Sequence, residues 1–243
     1  MSTANTLLMN NRFKSLGLKL KFSDDGFYIK GSGHRIPEFK ISEEFALLLG
    51  LLYGDGWMTS RQKALKNSDW KIGLVEDDKG VIDSFSALVR KIFSIQPTSR
   101  FRKTYYEVYF NSRFVYEVLN RQFGFPDGYK IGRLKIPKII RKSDNLLISF
   151  LCGVFSTDGK FTLHKGYPRI GVDSATEKFI RQIKVALSRL GFHPRTYVWK
   201  RKGGNNLYGL YLNGKSQVKL FYKKIDFVGD KRKLLKSYAS RNL

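Results

Sequence analysis

Two apolar segments of this chain end in the same way, and a protein carrying both has few ways to fold. They read Leu48-Leu49-Gly50-Leu51-Leu52-Tyr53-Gly54-Asp55-Gly56 and Leu151-Cys152-Gly153-Val154-Phe155-Ser156-Thr157-Asp158-Gly159. Each closes an apolar helix. The first helix opens at Ser42-Glu43-Glu44 and the second at Ser143-Asp144-Asn145, residues that cap and charge a helix N-terminus favourably. A glycine inside a helix costs about 1 kcal/mol relative to alanine. Even so, Gly50 and Gly54 lie four apart on one face, as do Gly153 and Thr157 in the second copy. Small residues on one face let another backbone approach closely, and the simplest partner for each helix is the other copy. Packing about a pseudo-twofold axis would then set Asp55 beside Asp158.

The surrounding sequence repeats as well. Trp70–Val75 and Pro168–Val172 alternate as strands. Val81, Phe85, Leu88, Val89 and Ile92 mark an amphipathic helix in the first half; Phe179, Ile183, Ala186, Leu187 and Leu190 mark its counterpart. Two further strands follow in each half, about 98–103 with 105–111 and 195–202 with 206–213, then another helix. Matched positions keep nearly constant offsets: 103 from Asp55 to Asp158, 98 from Ile72 to Ile170, 102 from Asn111 to Asn213 and 101 from Lys130 to Lys231. The pattern predicts an α+β fold of two pseudo-twofold-related αββαββα repeats, with the motif helices at their interface. The repeats span 41–130 and 143–243, joined by a linker at 131–142. Residues 1–40 form a basic extension with a short strand at Phe27 to Lys30.

Charge narrows the class of partner. The 45 Lys and Arg outnumber 20 Asp and Glu, a net charge of +25 spread over all 243 residues and interleaved with aromatics. Such an excess calls for a polyanion, and its distribution favours nucleic acid over a lipid anchor. The single Cys152 excludes an internal disulfide and, with three scattered histidines, a zinc site. A reducing compartment is expected, hence an intracellular protein of cytoplasm or organelle. The N-terminus lacks a signal-peptide core, and no apolar run approaches the roughly 20 residues of a membrane span.

Two carboxylates at two helix C-termini, each end already partly negative, make an unfavourable cluster that a divalent cation relieves. Oxygen ligands favour Mg²⁺, with Mn²⁺ as a substitute. Metal ions held there can activate water and stabilise a leaving oxygen in phosphodiester hydrolysis.

The paired motifs resemble those of the LAGLIDADG homing endonucleases, of the single-chain type with two copies, over roughly 42–240. Tyr53 and Ser156 stand where the motif has its first aspartate, but the metal-binding acid is present twice. The resemblance implies saddle-shaped sheets straddling a long asymmetric double-stranded DNA site, cut across the minor groove by a monomer. It also implies that Lys130 and Lys231 are the basic active-site residues. The polar residue closing the first hairpin is expected at Glu76 or Asp77 and at Asp173, and Lys160 is a further candidate for the second site.

DNA contacts are expected on the sheets. Candidates are Arg61, Lys63, Lys71, Arg100, Arg102, Arg169, Arg195, Lys200, Arg201 and Asn205, with Tyr197 and Trp199. Asp78 reads as a helix cap, Cys152 as core packing, and His34, His164 and His193 as surface or DNA-facing residues. Two rival readings use the same scaffold: an RNA-binding intron maturase, and a DNA-binding regulator without cleavage. Both acids being present favours the nuclease.

Overall fold

The computed structural model describes residues 20–23, 26–29, 35–36, 41–61, 69–201 and 203–242. Within the N-terminal extension, β1 (Leu20–Ser23), β2 (Gly26–Ile29) and β3 (Arg35–Ile36) form a small antiparallel sheet in that order. The strand anticipated at Phe27 to Lys30 is β2, now with a neighbour on either side.

The first repeat runs α1 (Glu43–Tyr53), β4 (Gly56–Arg61), β5 (Asp69–Glu76), α2 (Lys79–Phe93), β6 (Thr98–Arg102), β7 (Tyr105–Asn111) and α3 (Arg113–Glu117), which continues as a wider π turn over Val118–Gln122. After a short α4 (Lys138–Arg141), the second repeat follows as α5 (Asp144–Thr157), β8 (Gly159–His164), β9 (Tyr167–Ser174), α6 (Glu177–Arg189), β10 (Arg195–Trp199), β11 (Leu207–Asn213) and α7 (Lys215–Lys224). A last helix, α8 (Asp230–Asn242), follows α7 and closes the second repeat. The two antiparallel sheets have matching orders, β4-β5-β7-β6 and β8-β9-β11-β10.

Strand alternation sorts each sheet into two faces. Ile72, Leu74, Val108 and Phe110 of the first sheet are buried with Val81, Phe85, Val89 and Phe93 of α2. In the second sheet Ile170, Val172, Leu210 and Leu212 do the same with Phe179, Ile183 and Leu187 of α6. At about 1.5–3 kcal/mol for each large apolar side chain buried, these faces supply much of the driving force for folding. The two cores are joined. Tyr53 of α1 packs edge-on against Phe150 of α5, with ring centroids 5.2 Å apart, and lies 5.9 Å from Phe179.

Loop lengths explain why the repeat offset drifts. The β4–β5 connection spans 62–68, whereas β8–β9 turns at 165–166, which lowers the offset from 103 to 98. The β6–β7 turn at 103–104 is matched by a longer β10–β11 connection at 200–206, which restores it to 102. Among the described residues no helix is long and apolar enough to cross a membrane.

Candidate active site

The site begins with the two motif helices, which make the most extensive helix–helix contact among the described residues. Ser42 and Ser143 cap their N-termini, accepting from the amides of Phe45 (3.2 Å) and Leu146 (3.4 Å). The glycines set the closeness of the crossing. A Cβ on Gly50 would stand 2.1 Å from the carbonyl oxygen of Phe150, and one on Gly153 would stand 2.4 Å from that of Leu47. A Cβ on Gly54 would overlap the Thr157 hydroxyl and lie 3.5 Å from Cγ of Asp158. The backbone just before Asp55 thus touches the other half at Asp158.

Asp55 is exposed and Asp158 partly so, yet both stand in densely packed surroundings. Burial raises the carboxyl of Asp158 to about 7, helped by the charge on Asp55; Lys130 and Lys231 oppose the shift. Burial also raises Asp55, against the pull of Lys130. Glu76, at the end of β5, is pushed up to about 8 by burial first, then by a side-chain hydrogen bond with Asp77 and the charge on Asp55. Its Oε2 is buried without a hydrogen-bond partner.

These features fit a hard divalent cation. The donors are carboxylate oxygens, they repel one another when ionised, and one buried carboxylate oxygen is unpaired. Among the described residues no three His, Cys, Asp or Glu side chains form a metal-holding cluster. Mg²⁺ needs no such cage, since one or two carboxylates together with phosphate oxygens and water suffice.

Each motif helix ends on a lysine from the last segment of its own repeat. Lys231 Nζ donates to the carbonyls of Ser156 (2.7 Å) and Thr157 (2.6 Å). Lys130 Nζ donates to those of Gly54 and Leu52, the latter at 3.4 Å. Cations there complement the negative helix ends. An ammonium has three donors, so each lysine keeps one N–H free of these carbonyls.

The acids proposed to close the first hairpins are not equivalent. Register pairs Tyr109 with Gly73 and Tyr211 with Gly171, so the counterpart of Glu76 is Ser174, and that of Asp173 is Val75. Glu76 therefore shares the helix-facing side of its sheet with Ile72 and Leu74, whereas Asp173 lies on the opposite face. There Asp173 accepts from Lys160 at 2.6 Å and from the hydroxyl of Tyr197, whose ring stacks on Tyr211 at 4.5 Å. Asp77 is exposed beside Glu76, and its amide donates to Glu76 Oε1 at 3.0 Å.

The faces turned away from the helices carry most of the basic candidates. By register, Lys71, Arg100 and Arg102 share one such face, and Lys160, Arg169, Arg195, Tyr197 and Trp199 the other. The side chain of Arg61, at the end of β4, falls outside the described residues. Lys71 and Arg100 flank the Tyr109 ring at 5.8 and 5.4 Å, and Arg169 stacks 4.3 Å from the Tyr211 centroid. Arg102 reaches Glu107 at 3.4 Å. Lys200 and Arg201 are exposed just beyond β10, and Asn205 donates to the Tyr129 hydroxyl at 3.2 Å. Lys63 falls outside the described residues. Burial pushes the Cys152 thiol up to about 12, which removes it as a nucleophile near neutral pH.

Sequence reasoning passed over α8, which carries Lys231. Its side chains are mostly exposed, with Leu235 the buried contact, so no apolar stripe announces a helix. The signal was Asp230 immediately after Gly229, an acidic start.

Residues 145–226 match the family described as a LAGLIDADG-like domain. The chain is 24% identical over 204 residues to the glutamine–fructose-6-phosphate aminotransferase of Methanocaldococcus jannaschii, an alignment covering 82% of this chain and 18% of the relative. It is 29% identical over 202 residues to the replication factor C small subunit of that organism, covering 82% and 10%. This chain therefore spans less than a fifth of the length of these relatives. Among solved structures, mesophilic variants of the homing endonuclease I-DmoI align with a TM-score of 0.60 at 18% identity, covering 76% of this chain and 96% of theirs. The meganuclease I-SmaMI bound to uncleavable DNA aligns at 0.53 and 11%, covering 80% and 87%.

Proposed function

We propose that this chain, which has the LAGLIDADG homing-endonuclease fold, is a monomeric, site-specific endonuclease that cuts both strands of a long asymmetric DNA target across the minor groove. The observation that carries this reading is the junction of the motif helices. Two carboxylates with raised affinity for protons meet there, and a lysine is bound at the end of each helix.

Asp55 and Asp158 would hold Mg²⁺, which supplies charge to activate water and to stabilise the leaving oxygen. The protein's own part is orientation and electrostatics. Lys130 and Lys231 each direct a remaining N–H at phosphate oxygens as negative charge builds there. Glu76, whose carboxyl is raised by burial and by the charge on Asp55, is a further acid beside Asp55 that can donate a hydrogen bond or pass on a proton there. Water bonds to phosphorus, the ester P–O bond breaks, and the departing oxygen takes a proton. The basic sheet faces, with arginines backed by tyrosines, would follow the duplex on either side and bind it with strong salt dependence.

Two features of the relatives support the reading. Solved I-DmoI structures hold DNA with Ca or Mn. A segment of about 200 residues like this chain also occurs within proteins whose names share no activity, as expected of a module that moves between genes.

A target selected by binding from random-sequence DNA, placed in a supercoiled plasmid, tests the proposal. Linear product in Mg²⁺ or Mn²⁺, and none in EDTA, is expected. Tight binding with no cleavage in either metal would instead favour a non-cleaving regulator.

A further inference from the structure

Both active-site lysines lie on segments whose backbone is tied to the opposite repeat. Asp78, 9% exposed, is the N-cap of α2 in the first repeat. Its Oδ1 does the capping, accepting from the amides of Gly80 (2.8 Å) and Val81 (3.3 Å). Its Oδ2 reaches across and accepts from the amide of Asp230 at 2.5 Å. Asp230 opens α8 and immediately precedes Lys231. One carboxylate thus serves the free N–H groups of two helices from two repeats.

The approach is built for contact. Gly229 has φ +76°, and a Cβ there would stand 2.3 Å from Asp78 Oδ2. A Cβ on Gly80 would stand 2.8 Å from Cα of Gly229.

The mirrored position does the same with a different side chain. Thr176 is the N-cap of α6 in the second repeat and is 2% exposed. A threonine there ordinarily caps its own helix. This one makes no such bond. Its hydroxyl accepts from the amide of Gly132 at 2.9 Å, two residues beyond Lys130. Gly132 itself lies at φ +75°.

Resting on the catalytic reading of the two lysines, we propose that Asp78 and Thr176 are positioning residues, each holding in place the segment that bears the other repeat's lysine. Neither side chain touches DNA in this account. Each acts through the backbone beside a lysine, so each lysine is held in place only when both repeats are docked.

Isosteric variants separate this role from general packing. Asp78→Asn keeps an oxygen to cap α2 but turns an N–H donor toward the amide of Asp230. Thr176→Val removes a hydroxyl that α6 does not use, and Thr176→Ser restores it. Lysine acylation of the free protein near pH 8, resolved by peptide mass spectrometry, reads the positions directly. Asp78→Asn should speed acylation of Lys231 about tenfold and leave Lys130 at its original rate, and Thr176→Val the reverse, about one buried hydrogen bond in each case. Thr176→Ser should return Lys130 to its original rate. Unchanged acylation, or equal change at both lysines in each variant, overturns the proposal.

Cleavage of an end-labelled duplex carrying the selected target adds a second reading. Single-turnover rates should fall about tenfold with DNA affinity unchanged. A wild-type protein that cuts no DNA would sink the nuclease reading, while the acylation rates would still decide the positioning. Normal cutting with unchanged acylation would do the opposite.

Discussion

Substituting alanine for Gly50 opposes two effects of known size. Within a helix the exchange ordinarily stabilises, by about 1 kcal/mol. Here the new Cβ would stand 2.1 Å from the carbonyl oxygen of Phe150 and 3.0 Å from Cα of Gly153. A carbon–oxygen contact relaxes only near about 3.3 Å, so α1 and α5 must part by roughly 1 Å along their whole contact. Overpacking of this kind costs about 1–3 kcal/mol, and occasionally more. The parting also loosens Tyr53 from Phe150 and moves Asp55 away from Asp158. We expect a net loss of about 2 kcal/mol, a fall in melting temperature of about 4–8 °C for a chain of this length, and a larger proportional loss of cleavage than of DNA binding. Gly204→Ala is the control, since its Cβ would meet nothing nearer than Arg201 Cβ at 3.9 Å. Scanning calorimetry of both variants decides the matter. A Gly50→Ala protein that melts higher than wild type would refute the close crossing on which the site depends.

Asp158→Asn should stabilise the metal-free protein near pH 8 and leave it nearly unchanged near pH 4. The folded carboxyl titrates near 7 against an ordinary 3.8, so the wild type loses stability as pH rises between those values, by at most about 4 kcal/mol. Urea unfolding in EDTA at several pH values measures it, and a wild type indifferent to pH would be inconsistent with the raised carboxyl. DNA affinity should fall by about 10³-fold or more between 50 and 200 mM salt, and Arg100→Ala should lower the slope of the logarithmic plot by about 1; filter binding at several salt concentrations tests both. Cys152 should resist iodoacetamide near pH 8 until the protein is unfolded, because burial holds its thiol near 12; rapid alkylation of the native protein would contradict that placement.

The duplicated helices were legible because their constraint is local: small residues four apart on one face, followed by an aspartate, are visible in any window of ten residues. The order of helices and strands along each repeat was legible from alternation and duplication. Register was not read, although the sequence carried it. An offset of 98 at Ile72 and Ile170, carried four residues further, matches Glu76 with Ser174, and carried three residues further it matches Val75 with Asp173. The expected equivalence of Glu76 and Asp173 followed residue type instead, and a slip of one residue reverses the face of a strand. The bonds of Asp78 and Thr176 lay beyond sequence reasoning for a different reason. A cap residue looks the same whether it serves its own helix or a backbone 44 or 152 residues away, and only docking of the two repeats decides which.

Strand-resolved cleavage of the selected target in Mg²⁺ by Asp55→Asn and Asp158→Asn decides whether the two acids form one metal-dependent centre for cutting DNA. Each variant should still bind the target and should have lost cutting of at least one strand by about 10³-fold or more. Cleavage of both strands at the wild-type rate by either variant would contradict a shared centre.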